Sequence, residues 1–166
     1  MFKLIAQGVR TPLTEPAPPP DLAALGARLQ AGVARRLGRS LALRAVDVGS
    51  CNGCELELHA LSNAFYDLER FGLRFVAAPR HADVLLVTGV VARNLRIALE
   101  RTYAATPAPK WVVAVGACAC DGGVFGESYA SLGAVAETLA VDLVIPGCPP
   151  TPQALLAGLT ALVDRA

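Results

Sequence analysis

The sequence predicts an α/β fold, a mainly parallel five-stranded sheet with helices on both faces. Three observations carry this expectation. Runs such as Val84–Thr88 and Trp111–Val115 are apolar at nearly every position, as strands covered on both faces must be. Segments with apolar residues at helical spacing alternate with those runs. Three of the runs end in turns rich in glycine and cysteine, where an open parallel sheet places its functional loops.

In chain order, Met1–Arg10 comes first, with Phe2, Leu4, Ile5 and Val9 beside Lys3 and Arg10. It is either a frayed terminus or a clasp on a partner subunit or membrane interface. Residues 11–20 hold five prolines, which neither a helix nor a central strand accepts, and form an extended tether. Residues 1–20 are thus a terminal segment and tether, and 21–166 a single domain. Asp21 is placed to cap a helix to about Leu37, with Leu22, Leu25, Leu29, Val33 and Leu37 on one face. Arg35, Arg36 and Arg39 sit where the helix dipole favours cations. Leu43–Val48 is the first strand. A helix follows over Glu55–Arg70, with Leu58, Leu61, Phe65 and Leu68 as its buried stripe. Leu73–Ala77 and Val84–Thr88 are strands, Val91–Tyr103 a helix, and Trp111–Val115 and Val141–Ile145 the last two strands. Thr151 as N-cap and Pro152 at the first helical position start a final helix.

One junction resists a parallel sheet. Only Ala78 to Asp83 separate the second and third strands, where a parallel crossover usually takes a dozen residues. Six extended residues reach roughly 20 Å, barely enough to cross one intervening strand. The parallel arrangement is still the expectation.

Composition narrows the function. Hydrophobic residues make up 54% of the chain and aromatics 5%, so the core is built from Ala, Leu and Val. Charged residues are 17%, short of the usual quarter, which suggests a surface partly covered by other subunits. A net charge of +1 argues against nucleic acid as a partner. No apolar run approaches the ~20 residues of a membrane span, and no secretory signal or signal peptide is evident, so a cytoplasmic location is expected. Thiols stay reduced there, and five cysteines fit four ligands plus one spare better than a disulfide framework.

Those cysteines lie in three loops: Cys51-Asn52-Gly53-Cys54, Gly116-Ala117-Cys118-Ala119-Cys120 and Pro146-Gly147-Cys148-Pro149-Pro150. If the preceding strands are parallel neighbours, the loops open on one edge and four thiolates can converge. An iron–sulfur cluster needs four. Gly53, Gly116 and Gly147 would let the backbone close on a bulky group. A four-cysteine zinc site is the rival, although such sites usually have two CxxC pairs and this chain has one. A redox dithiol at Cys51 and Cys54 is a third reading.

Four segments make the chain recognisable: DVGSCNGCELELHAL (47–61), ERFGLRFVAAPRHADVLLVTG (69–89), AVGACACDGGVFGESY (114–129) and VDLVIPGCPPTPQALLAG (141–158). It resembles the small subunit of membrane-bound, energy-converting [NiFe] hydrogenases, including those of formate hydrogenlyase complexes, and is similar also to the B-type (20 kDa) subunit of respiratory complex I. The resemblance implies a flavodoxin-like fold and one [4Fe–4S] cluster on Cys51, Cys54, Cys118 and Cys148. Complex I subunits typically have adjacent cysteines in place of Cys51-x-x-Cys54, which sets this chain on the hydrogenase side. Cys120 departs from the pattern, as a bystander or as a ligand replacing Cys118. The implied role is electron transfer between a ferredoxin-like iron–sulfur subunit and a hydrogenase-like large subunit. Integral membrane subunits of the same complex would hold the assembly at the cytoplasmic side of the cell membrane. A quinone oxidoreductase whose large subunit lacks nickel is the alternative, and a zinc-stabilised scaffold a remote one.

Other polar residues have two readings each. Glu55 is a proton relay, as the resemblance suggests, or a carboxylate stabilising a helix N-terminus. Glu57 is an interface or solvent residue. His59 either packs at an interface or couples protonation to redox state. Arg80, in a loop expected on the cysteine edge, would stabilise a reduced cluster, while His81 makes a surface contact. Asp121 hydrogen-bonds its own loop.

Overall fold

The structure is a computed structural model and describes residues 21–165. The expectations for the apolar terminus and the proline tether lie outside the described residues.

The first helix, α1, spans Asp21–Leu37, and β1 spans Leu41–Asp47. A short helix α2, Gly53–Ala60, leads to β2 at Leu73–Phe75 and β3 at Val84–Thr88. Then come α3 (Arg96–Ala105), β4 (Trp111–Val115), the single-turn α4 (Ala117–Asp121), β5 (Leu143–Ile145) and α5 (Pro152–Arg165). The five strands form one sheet in the order β2-β1-β3-β4-β5, every pair parallel. That is the flavodoxin-like order, and it borders β1 with β3, where the strand order reverses.

Each face of the sheet has its own core. On one side Leu29, Val33, Leu58, Leu61, Leu155, Leu156 and Leu159 pack on Leu41, Leu43, Leu86 and Val113. On the other Leu99, Ala119 and Val135 pack on Leu85, Val87, Val112 and Ala114. Strands apolar at every position follow directly, because both sets of alternating side chains are buried. The short second junction is indeed parallel. Val76 N–H donates to Leu43 O and Asp83 N–H to Ala42 O, so the chain crosses the face of β1 through a 3₁₀ turn at Pro79–His81.

Two helices differ from expectation. The segment 55–70 stops being helical after Ala60, because Asn63 Oδ1 accepts from both Phe65 N–H and Tyr66 N–H and folds an Asx turn. Asp67 then adopts a left-handed conformation before a 3₁₀ turn at Leu68–Phe71. Leu58, Leu61 and Leu68 are buried as expected, whereas Phe65 is exposed. Helix α3 starts at Arg96 rather than Val91, because Ala92 bridges Ser131 in the antiparallel sense and Val91 exchanges backbone bonds with Gly133 and Leu132. At the last helix Thr151 Oγ1 accepts from Ala154 N–H at 3.3 Å, the expected cap.

Candidate metal centre

The carboxyl ends of β1, β4 and β5 deliver the three cysteine loops to one place. Cys51 and Cys54 follow β1, with Asn52 in the left-handed conformation (φ 73°) that turns the chain into α2. Gly116 opens the second loop. Its N–H donates to Ile145 O at 2.8 Å, and Ala117 N–H donates to Gly147 O at 2.7 Å, which knits the second loop to the third. A Cβ on Gly53 would lie 3.6 Å from Cys51 Sγ and 3.8 Å from Pro149 Cβ. A Cβ on Gly116 (φ 87°) would stand 2.5 Å from Cys54 Sγ and 3.5 Å from Gly147 O. First and third loops meet at Gly53, and all three at Gly116.

Electrostatics records the same convergence. Burial pushes the Cys54 thiol up to about 12, helped by the charges of Glu55, Cys51, Cys118 and Cys148. Cys118 is raised by burial first and then by Cys148 and Cys51. Cys54 and Cys118 thus resist ionisation beside the neighbouring sulfurs, and a bound metal would offset this by displacing their protons. All five cysteines are free of disulfides.

Cys120 stands apart. Its Sγ donates to Ala114 O at 3.6 Å and Ile145 O at 3.7 Å, and burial is the first cause that raises its pKa. It fastens the ends of β4 and β5 together.

Among the described residues no three side chains of His, Cys, Asp or Glu lie close enough together to hold a metal ion. Cys51 and Cys148 are exposed and Cys54 buried, so one side of the centre faces out of the chain.

Glu55 sits beside the second cysteine on α2. Ser50 Oγ–H donates to its Oε2 at 2.7 Å, while its Oε1 is buried without a partner. It also lines a cavity of about 340 Å³ with Arg44, Ala45, Leu58, His59, Ser62, Phe75, Val76 and Ala77. Arg44 Nε is likewise buried, and neither atom has a partner among the described residues. Sequence reading missed both Ser50 and Arg44. The signal for Arg44 was present, a charge flanked by apolar residues inside the first strand. Glu57 is half-buried and His59 exposed.

The turn that holds Arg80 follows Val76, whose N–H donates to Leu43 O, precedes Asp83, whose N–H donates to Ala42 O, and packs near α3. Arg80 and His81 are exposed, and among the described residues neither side chain makes a hydrogen bond or ion pair, while His81 N–H donates to Ala78 O at 3.1 Å. Asp121 Oδ1 accepts from Gly123 N–H at 2.8 Å, the local turn expected of it.

A family model described as NADH ubiquinone oxidoreductase, 20 Kd subunit, matches residues 51–162. The chain is 43% identical over 132 residues to formate hydrogenlyase subunit 7 of Escherichia coli K12, covering 80% of this chain and 52% of that protein. It is 47% identical over 112 residues to the B-type NADH-quinone oxidoreductase subunit of Citrifermentans bemidjiense, covering 68% of this chain and 65% of that one. It thus spans about half the length of the first relative and just under two thirds of the second. Among solved structures, a chain of an archaeal respiratory complex, the membrane-bound sulfane sulfur reductase, superposes with a TM-score of 0.69 at 34% identity, over 82% of this chain and 74% of that one.

Proposed function

The chain belongs to the NADH ubiquinone oxidoreductase 20 Kd subunit family, and on that premise we propose that it is the electron-transfer small subunit of a membrane-associated, energy-converting hydrogenase-type complex. Cys51, Cys54, Cys118 and Cys148 would hold one [4Fe–4S] cluster. When bound, such a cluster accepts and releases electrons one at a time, passing them between a ferredoxin-like subunit and a large catalytic subunit. The observation that carries this reading is the meeting of three loops at Gly116, where a single added methyl would collide with Cys54 Sγ.

The chain's own residues divide the remaining work. Gly53, Gly116 and Gly147 keep the backbone close around the sulfurs. Glu55, with Oε2 held on the Ser50 hydroxyl, would be a proton relay beside the centre. Exposed Leu56, Val124 and Phe125 lie on α2 and on the loop after α4. They would seat the large subunit against the open side of the centre. Residues 21–166 would act as one domain. No helix among the described residues is long and apolar enough to cross a membrane, so attachment would come from membrane subunits on the cytoplasmic side.

The complex I-type relative supports a second reading, a quinone-reducing complex whose large subunit lacks nickel. Anaerobic purification of the tagged chain with its partners tests both. About four irons per chain with a reduced-state EPR signal is the expected result, and stoichiometric zinc without iron would overturn it. Nickel in the co-purified large subunit selects the hydrogenase reading, and its absence selects the quinone one.

A further inference from the structure

The cavity beside Glu55 exists because β2 is too short. The β1–β2 ladder ends at Leu43↔Phe75, whereas the β1–β3 ladder continues to Asp47↔Thr88. Arg44 to Asp47 are therefore paired on one side only. Leu41 N–H donates to Gly72 O and Leu43 O accepts from Val76 N–H, so odd-numbered residues of β1 face β2. By that alternation the N–H and C=O of Ala45 point at the free edge. They open on the cavity of about 340 Å³, whose apolar walls are Leu58, Phe75 and Val76. The same cavity is lined by Arg44, with Nε buried and unpartnered, and Glu55, with Oε1 in the same state.

Buried polar groups are normally satisfied, so unpaired ones on a shared cavity mark a missing partner. The charges of Arg44 and Glu55 cancel, which favours neither an anion nor a cation. What is missing is neutral, presents donors and acceptors in strand register, and carries apolar bulk. A polypeptide main chain with one apolar side chain meets all three conditions.

We propose that this notch receives an extended segment of a neighbouring subunit, which adds as a short strand to the free edge of β1 at Arg44–Asp47. This rests on the reading of the chain as a subunit of a complex. The inserted segment pairs with Ala45, accepts from Arg44 Nε–H, donates to Glu55 Oε1, and buries an apolar side chain between Leu58 and Phe75.

Hydrogen exchange on the full chain, alone and in its purified complex, tests the proposal. Expected is at least a tenfold slowing of exchange at Ala45 on assembly. A photo-crosslinking residue at position 76 should join one extended stretch of another chain. Ala45→Pro removes the edge-facing N–H and none of the bonds to β3, a substitution edge strands accept, and should lower recovery of that chain while leaving the far-UV spectrum unchanged. If partners co-purify and residues 122–131 gain protection while 44–47 do not, the notch proposal falls and the subunit reading stands. If no partner co-purifies, the subunit reading itself falls. Protection in the isolated chain that vanishes on removal of residues 1–20 would make the occupant the chain's own terminus and overturn the proposal. So would protection in the complex without a crosslink to another chain, the mark of a small apolar ligand.

Discussion

At the scale of single residues, the cysteines separate by what their sulfurs touch. Cys120 is already satisfied by Ala114 O and Ile145 O, while Cys54 and Cys118 are raised by burial and by the other sulfurs of the three loops. Serine at position 51, 54, 118 or 148 is therefore expected to abolish the iron–sulfur EPR signal, and Cys120→Ser to retain it. Loss in Cys120→Ser with retention in Cys118→Ser would reverse the assignment. Gly116→Ala should also lose the cluster, because its Cβ needs both a left-handed backbone and the space of Cys54 Sγ. Protons follow with a definite sign. The folded, metal-free chain holds the Cys54 proton up to about 12, above the ordinary thiol value of 9.0. Its contribution to stability is complete below pH 9 and lost as pH rises through that window. Urea midpoints of the metal-free chain and of Cys54→Ser between pH 8 and 11 check this, since the loss should be larger in the first. The meeting of the three cysteine loops at one sheet edge was legible from loop order along the chain. The surroundings of Glu55 were not, because a sequence shows neither the Ser50 hydroxyl on its Oε2 nor the cavity that it lines.

At the scale of elements, the strands were legible nearly to the residue and the helices less so. Val84–Thr88 and Trp111–Val115 are buried on both faces, and nothing but a strand suits them. The segment after Cys54 had the apolar spacing of a long helix, yet one side chain, Asn63, competes for the backbone and ends it. Packing between elements yields two sharper expectations. Gly26 in α1 faces Phe71, and a Cβ there would fall within the ring. Alanine normally stabilises a helix interior by up to about 1 kcal/mol over glycine. Here overpacking, typically about 1–3 kcal/mol, should win, and Gly26→Ala should lower the unfolding free energy. At the opposite end of the sheet from the thiols, Asp83 accepts from Arg39 at 2.6 and 2.7 Å and from Ala42 N–H at 2.9 Å. Burial pushes its carboxyl up, but those bonds and the charges of Arg39 and Arg74 outweigh it and hold the pKa below the ordinary value of 3.8. Arg39 is 55% exposed, so solvent discounts the pair, and Arg39→Met should cost roughly 1–2 kcal/mol at neutral pH. That contribution is present above the ordinary carboxylate range. The gap between wild type and Arg39→Met should close as pH falls through the depressed value, as denaturant titrations near pH 7 and pH 3 would show.

At the scale of the whole molecule, the scarcity of charge read from composition meets a specific surface. Valine and phenylalanine at 124 and 125 are 93% and 58% exposed, and Leu56 is 62% exposed. Monomeric proteins scatter single apolar residues, but two adjacent ones in the loop after α4, beside a centre with exposed thiols, fit an interface that stays covered. The loop is held in shape by its own bonds, with Ser131 Oγ–H donating to Gly126 O at 2.5 Å and Arg93 N–H to Ala130 O at 2.9 Å. Its apolar side chains are thus presented, not stray. Substituting Val124 and Phe125 together with glutamate touches none of those bonds and no cysteine. The isolated double variant should keep its circular dichroism and its iron content, and pull-down of the large subunit through a tag on this chain should fall at least tenfold. An unchanged pull-down would move the large-subunit interface elsewhere. A loss of iron in the isolated variant would mean instead that the loop belongs to the cluster's own enclosure.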